Sequence, residues 1–141
     1  MNKPVHLIKP NGIRLINSAV AAGFPSPAQD YMEEDIDLQK LIIDHPLSTF
    51  LIRVEGDSMI NACIPHNALL VVDKSLTAKN KDIVVAVVNG EFTVKRLMKS
   101  RTGIALQPEN PEFKPLVITE EMGFTVWGVV TRIIIDPKKC K

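Results

Sequence analysis

The chain has 141 residues, enough for one globular domain with a single hydrophobic core plus an arm, but not comfortably two cores. Lys and Arg total 17 against 16 Asp and Glu, so the net charge of +1 provides no broad basic field to hold a phosphate backbone, and direct sequence-specific DNA binding is not expected. The apolar stretches all fall short of the ~20 residues that a membrane span requires, which argues for no membrane association.

Residues 1–35 carry Pro4, Pro10, Pro25 and Pro27, a small-residue run from Ser18 to Gly23, and an acidic cluster at Glu33, Glu34 and Asp35. Proline withholds a backbone donor and biases its predecessor away from helix, so this stretch reads as an extended arm. The triplets Ala19-Val20-Ala21 and Val20-Ala21-Ala22 look like the end of a secretory signal, but Arg14 and Asn17 interrupt the place where its apolar run belongs. By itself the run 18–23 reads as a flexible linker. From Asp37 to His45, Leu38, Leu41 and Ile42 recur at helical spacing. Asp35 or Asp37 can cap this short helix, and Pro46 stops it.

From Thr49 onward, β-branched and apolar runs are bounded by turn residues at 49–54, 68–73, 82–88, 91–98, 104–107, 116–119 and 124–135, which predicts a mainly β core. Between the first two runs lies Val54-Glu55-Gly56-Asp57-Ser58-Met59-Ile60, a strand end followed by a Gly-Asp-Ser turn that can present a small hydroxyl at a sheet edge. The same residues also make ordinary turns. His66 stands in a Pro-His-Asn turn that faces solvent. A Ser58, His66 and Asp57 or Asp73 triad is disfavoured because Ile60 replaces the second glycine of a Gly-x-Ser-x-Gly elbow.

Asn89-Gly90 separates two strand runs, and both positions tolerate positive φ, so a two-residue hairpin turn is predicted. Pairing Val88 with Glu91 then places Lys95 opposite Val84, on a face shared with Ala86, Thr93 and Leu97. The run 82–88 is apolar on both faces, as in a strand covered on both sides, so Lys95 beside it would be partly desolvated. A lysine held neutral in this way can serve as the base for a serine nucleophile, although strand lysines commonly snorkel to water. The runs Val129-Val130 and Ile133-Ile134-Ile135 suit either a dimer interface or an interior strand.

Cys63 and Cys140 lie far apart without a CxxC pair, and His6, His45 and His66 gather no metal-type cluster. Free thiols in a reducing cytoplasm, with no metal and no cofactor, are expected.

The blocks Glu55-Gly56-Asp57-Ser58-Met59 and Gly90-Glu91-Phe92-Thr93-Val94-Lys95-Arg96-Leu97 closely resemble the two catalytic blocks of the LexA/UmuD self-cleaving serine-lysine peptidase family, and their separation fits as well. Upstream, Ala21-Ala22-Gly23-Phe24-Pro25-Ser26-Pro27 is similar to the UmuD-type cleavage segment, with Ala22 where the best-known UmuD has cysteine. The resemblance spans about Ala22 to Val130. It implies Ser58 as nucleophile, Lys95 as general base and Ala22-Gly23 as the scissile bond. It also implies a LexA/signal-peptidase-like twisted β core, with residues 1–47 as arm and linker and 48–141 as peptidase and dimerisation domain.

The family's repressors add an N-terminal helix-turn-helix. The proline-rich stretch ahead of the β core has room for one short helix, so the UmuD type is expected. That resemblance implies cleavage promoted by a RecA filament on single-stranded DNA. It further implies a processed homodimer that joins a Y-family polymerase for mutagenic lesion bypass. Two alternatives are an inactive β-rich dimerisation module and a signal-peptidase-like protease. The first is disfavoured by the presence of both Ser58 and Lys95, the second by the lack of a membrane anchor.

Overall fold

A computed structural model describes residues 12–16, 19–25 and 33–139. Readings that fall on His6, Pro4, Pro10, Pro27 and Cys140 lie outside the described residues. The chain divides into two compact units, Met1–Asp44 and His45–Lys141.

The first unit contains a pairing that the proline pattern hides. Strands β1 (Ile13–Ile16) and β2 (Glu33–Ile36) form an antiparallel two-stranded sheet, with Arg14 opposite Asp35 and Ile16 opposite Glu33. The extended backbone expected of this stretch is thus partly paired with itself. Short strands of opposite charge find each other across the proline-containing segment, and Arg14 reaches Glu33 at 3.3 Å. Helix α1 (Leu38–Ile42) follows, with Asp37 as its N-cap accepting from the N–H groups of Gln39 and Lys40. The helix ends at Ile42, with Ile43 already extended, so it stops short of the expected His45 and before Pro46. Pro46 instead opens a 3-10 turn, Pro46–Ser48, that leads into the second unit's sheet.

That sheet has seven antiparallel strands: β3 (Thr49–Arg53), β4 (Leu69–Asp73), β5 (Ile83–Val88), β6 (Glu91–Ser100), β7 (Gly103–Gln107), β8 (Leu116–Val117) and β9 (Phe124–Ile134). Their spatial order is β3-β4-β9-β5-β6-β7-β8. The protein is mainly β, as the runs predict.

Asn89 at φ 51° and Gly90 at φ 81° make the predicted turn, and the register places Val88 opposite Glu91 and Val84 opposite Lys95. Strand β5 is buried on both faces, because Val85 joins one hydrophobic cluster while Val84 and Ala86 join the other.

Strand β9 is interior, between β4 and β5. Val129 belongs to one cluster, and Val130, Ile133 and Ile135 pack against the other, leaving Ile134 exposed. These runs are therefore accounted for by the core, and they give no separate argument for a dimer surface. Register shifts occur against β4 between Val71 and Val72, and against β5 between Val85 and Ala86. Each shift leaves one β9 residue without a partner. The second turns Trp127 toward Phe50 and Phe92, with ring centroids 5.3 and 5.8 Å away.

Candidate active site

The site is built where the chain leaves β3. After Val54 the backbone turns at Gly56, whose φ of +87° suits a residue without Cβ, and Met59 anchors the turn by burying its side chain in the core. Ser58 lies between them, half-buried. The turn is fastened from outside its own segment. Gly56 donates its N–H to His66 Nδ1 at 2.8 Å, Glu109 donates its N–H to the Ser58 carbonyl at 2.9 Å, and Asn110 Nδ2 donates to the Asp57 carbonyl at 2.9 Å.

Lys95 comes to the same place from β6. Opposite it stands the fully buried Val84, and next on its face is the buried Leu97. Its amine is 3.1 Å from Ser58 Oγ, 2.8 Å from Thr93 Oγ1 and 3.1 Å from the Val94 carbonyl. Burial lowers the Lys95 pKa from its ordinary value of 10.5.

The amine donates in all three contacts, which match the three hydrogens of an ammonium. The Val94 carbonyl can only accept and Thr93 Oγ1 can accept, so two hydrogens stay with them when the amine loses its third. The lone pair of the neutral form then faces the Ser58 hydroxyl.

Ser58 and Lys95 line one groove, a cavity of about 620 Å³ that extends along β3 to an aromatic wall of Phe50, Phe92 and Trp127. Ala22 and Gly23, the other residues singled out in the sequence, belong to the first unit and are exposed, as are Val20 and Phe24 beside them.

His66 does not meet Ser58, since its Nδ1 is taken by Gly56. Asp73 instead binds His45, at 2.5 Å from its Nδ1, along with Ser48 and Ser75. A serine-histidine-aspartate arrangement is therefore not assembled. Among the described residues no group of three or more His, Cys, Asp or Glu is placed to hold a metal ion. No helix among them is long and apolar enough to cross a membrane. Cys63 is a free, exposed thiol.

Two parts of this arrangement do not follow from the sequence reading above. The register puts Thr93 on the face of Lys95, and the period of two along a strand is the signal that brings the pair within hydrogen-bond reach. Glu109 and Asn110 reach the serine turn from a distant loop, and no local pattern announces them.

The family described as Peptidase S24-like matches residues 14–131. The chain belongs to this family of serine peptidases. The protein MucA of Salmonella typhimurium is 42% identical over 122 residues, covering 86% of this chain and 83% of MucA. The protein SamA of the same species is 46% identical over 121 residues, covering 85% of this chain and 83% of SamA. LexA repressor 1 of Geobacter sulfurreducens is 45% identical over 103 residues, which is 73% of this chain but 50% of that repressor. The S24 match and the MucA and SamA relatives place the chain with the UmuD-type members, in keeping with the resemblance of its motif blocks.

Proposed function

We propose that this S24 peptidase cleaves its own chain between Ala22 and Gly23, with Ser58 as nucleophile and Lys95 as general base. The observation that carries the reading is the approach of the Lys95 amine to Ser58 Oγ at 3.1 Å, in surroundings that disfavour its charged form.

In the first step Ser58 Oγ attacks the Ala22 carbonyl carbon while neutral Lys95 takes the hydroxyl proton. The tetrahedral intermediate then collapses as Lys95 returns that proton to the departing Gly23 nitrogen, leaving an Ala22 ester on Ser58. Water, deprotonated by Lys95, hydrolyses the ester and restores the free serine. The small side chains at Ala21, Ala22 and Gly23 suit a backbone that must lie against the nucleophile, and their exposure leaves the segment open to attack.

We further infer that residues 1–47 serve as arm and linker and 48–141 as peptidase and dimerisation domain. The UmuD-type resemblance supports an SOS role in which a RecA filament on single-stranded DNA promotes the cut. It likewise supports a processed homodimer that joins a Y-family polymerase for translesion synthesis.

The test is to incubate the pure chain with RecA, ATP and single-stranded DNA and read the product by mass spectrometry. A new N-terminus at Gly23, absent in Ser58→Ala and in Lys95→Ala, is the expected result. A terminus elsewhere rejects the scissile bond, and efficient cleavage by a folded Ser58→Ala chain rejects the dyad. Sedimentation at micromolar concentration tests the dimer, and a monomer rejects it.

A further inference from the structure

The loop that follows β7 reaches back to the serine turn and holds two successive peptide groups there. Asn110 Nδ2 donates to the Asp57 carbonyl at 2.9 Å, and the Glu109 N–H donates to the Ser58 carbonyl at 2.9 Å. The Glu109 carbonyl in turn accepts from the Asn61 N–H at 2.9 Å.

The loop is also tied to the lysine strand, since the Glu109 carboxylate binds Arg96 Nε at 2.5 Å and Arg96 immediately follows Lys95. The orientation of the Asn110 amide is fixed by its other end. Its Oδ1 accepts the Glu112 N–H at 3.0 Å, so the oxygen faces a donor and the NH₂ faces the Asp57 carbonyl.

A peptide group is planar and trans, so its C=O and N–H point in opposite directions and turn together. The carbonyl that accepts from Asn110, and more distantly from the Ile60 N–H at 3.2 Å, belongs to Asp57, and the N–H of that same group belongs to Ser58. Among the described residues this N–H has no hydrogen-bond partner. A free N–H on the nucleophile's own residue is the kind of donor that stabilises the oxyanion formed when the serine attacks a carbonyl.

We propose that Asn110 is a positioning residue of the peptidase site, which aims the Ser58 N–H at the developing oxyanion by holding the Asp57 carbonyl behind it. The proposal rests on the peptidase reading above. Asn110 touches neither Ser58 Oγ nor Lys95, so it acts on the attacked carbonyl through the backbone and leaves the proton transfer alone.

The experiment measures the first-order self-cleavage rate of the full chain from about pH 7 to about pH 10, on the side of lysine's ordinary 10.5 toward which burial lowers Lys95. Wild type is compared with Asn110→Asp and Asn110→Ala. Asn110→Asp keeps an oxygen for the Glu112 N–H but cannot donate to Asp57. If Asn110 merely shaped its own loop, the aspartate variant would cleave like wild type and only the alanine variant would be impaired.

The expected result is a fall of about 10- to 100-fold in both variants, equal at every pH and with the midpoint of the profile unmoved. Cleavage by Asn110→Asp within about twofold of wild type overturns the proposal. So does a displaced midpoint, which would mean that Asn110 acts through Lys95. If Asn110→Asp does not fold, the uncharged Asn110→Ala carries the test, and unfolding of both makes Asn110 a structural pin and overturns the proposal. A wild-type chain that does not cleave, with or without the RecA filament, fails the peptidase reading itself and this inference with it.

Discussion

Lys95 on β6 and Asp73 at the end of β4 are two ionisable groups drawn out of water in one sheet, and their surroundings treat them oppositely. Asp73 is almost wholly buried, yet its carboxylate accepts from His45 Nδ1, the Ser48 hydroxyl, the Ser75 hydroxyl and the Ser75 N–H. Burial alone would raise its pKa, but the hydrogen bonds from His45, Ser75 and Ser48 outweigh it and hold the group well below the usual carboxylate range. Lys95 is only half-buried and has two short-range acceptors, but no carboxylate lies among its hydrogen-bond partners, and burial lowers its pKa. Complete burial with a full set of donors fixes a charge in place, whereas partial burial without a counter-ion leaves a charge that is easily given up. The first arrangement stabilises a fold, and the second supplies a base.

The largest expected effect comes from removing the base. Lys95→Met should reduce self-cleavage more than about a thousandfold, and Ser58→Ala combined with it should be no worse, because the two residues act as a unit. The same substitution should raise the melting temperature at neutral pH by about 3 °C, since an apolar side chain replaces an ammonium that burial disfavours. A Lys95→Met chain that is less stable than wild type would break the comparison, showing that the amine contributes more to the fold than it costs.

Next in size is the pH dependence of cleavage by the unaided chain. Only neutral Lys95 accepts the Ser58 proton, so the rate should rise with pH, by no more than about tenfold per unit, and level off below lysine's ordinary 10.5. Stability should follow the same direction. In the interval between the lowered folded value and 10.5 the unfolded chain binds the extra proton, so unfolding becomes harder as pH rises through it. Below that interval the buried ammonium costs stability at every pH. A cleavage profile that is flat in wild type removes lysine deprotonation as the limiting event. A rise that survives in Lys95→Ala assigns the dependence to another group.

Asp73→Asn should give the converse result, with cleavage per folded molecule within about threefold of wild type and a melting temperature lower by about 5 °C. Because the folded Asp73 value is depressed, its contribution is present above the ordinary carboxylate pKa and is lost as pH falls through the folded value. Wild type should therefore lose its advantage over Asp73→Asn only in strong acid. If Asp73→Asn were to abolish cleavage in a folded chain, the division between structural and chemical charge would fail.

The sequence discloses the two groups unequally, for a physical reason. Lys95 is legible because its environment follows from local rules. Asn89-Gly90 sets a register, the register puts Val84 opposite, and the doubly apolar run 82–88 supplies the desolvation. The strands and the Gly56-Asp57-Ser58 turn are legible in the same way.

The sequence offers Asp73 only as a partner for a serine triad, because its actual partner, His45, is 28 residues away and polar contacts carry no periodicity. Asn110, at 53 residues from Asp57, was invisible for the same cause. Trp127 meets Phe50 and Phe92 through a bulge that a strict alternation cannot anticipate. The pairing of β1 with β2 was lost behind prolines, and the apolar runs of β9 suited an interface until the strand's interior place in the sheet accounted for them.

The smallest effect concerns a second carboxylate, Asp37, which repeats at the surface what Asp73 does inside. Its oxygen accepts from the N–H groups of Gln39 and Lys40 at 3.0 and 3.4 Å and so caps α1, a helix of five residues with no buried side chain. Water can replace an exposed cap, whereas nothing replaces the donors around a buried carboxylate. Asp37→Ala should therefore cost no more than about 1 kcal/mol, and that cost should fall on α1 alone, because such a short helix has little stability of its own to pass on. The melting temperature of the sheet should not move. The sensitive reading is amide hydrogen exchange at Leu41 and Ile43, whose N–H groups bond the carbonyls of Asp37 and Gln39. Faster exchange at those two amides with unchanged exchange in β5 and β6 is the expected pattern. A fall in sheet stability as large as that of Asp73→Asn would mean that burial is not what separates these two carboxylates.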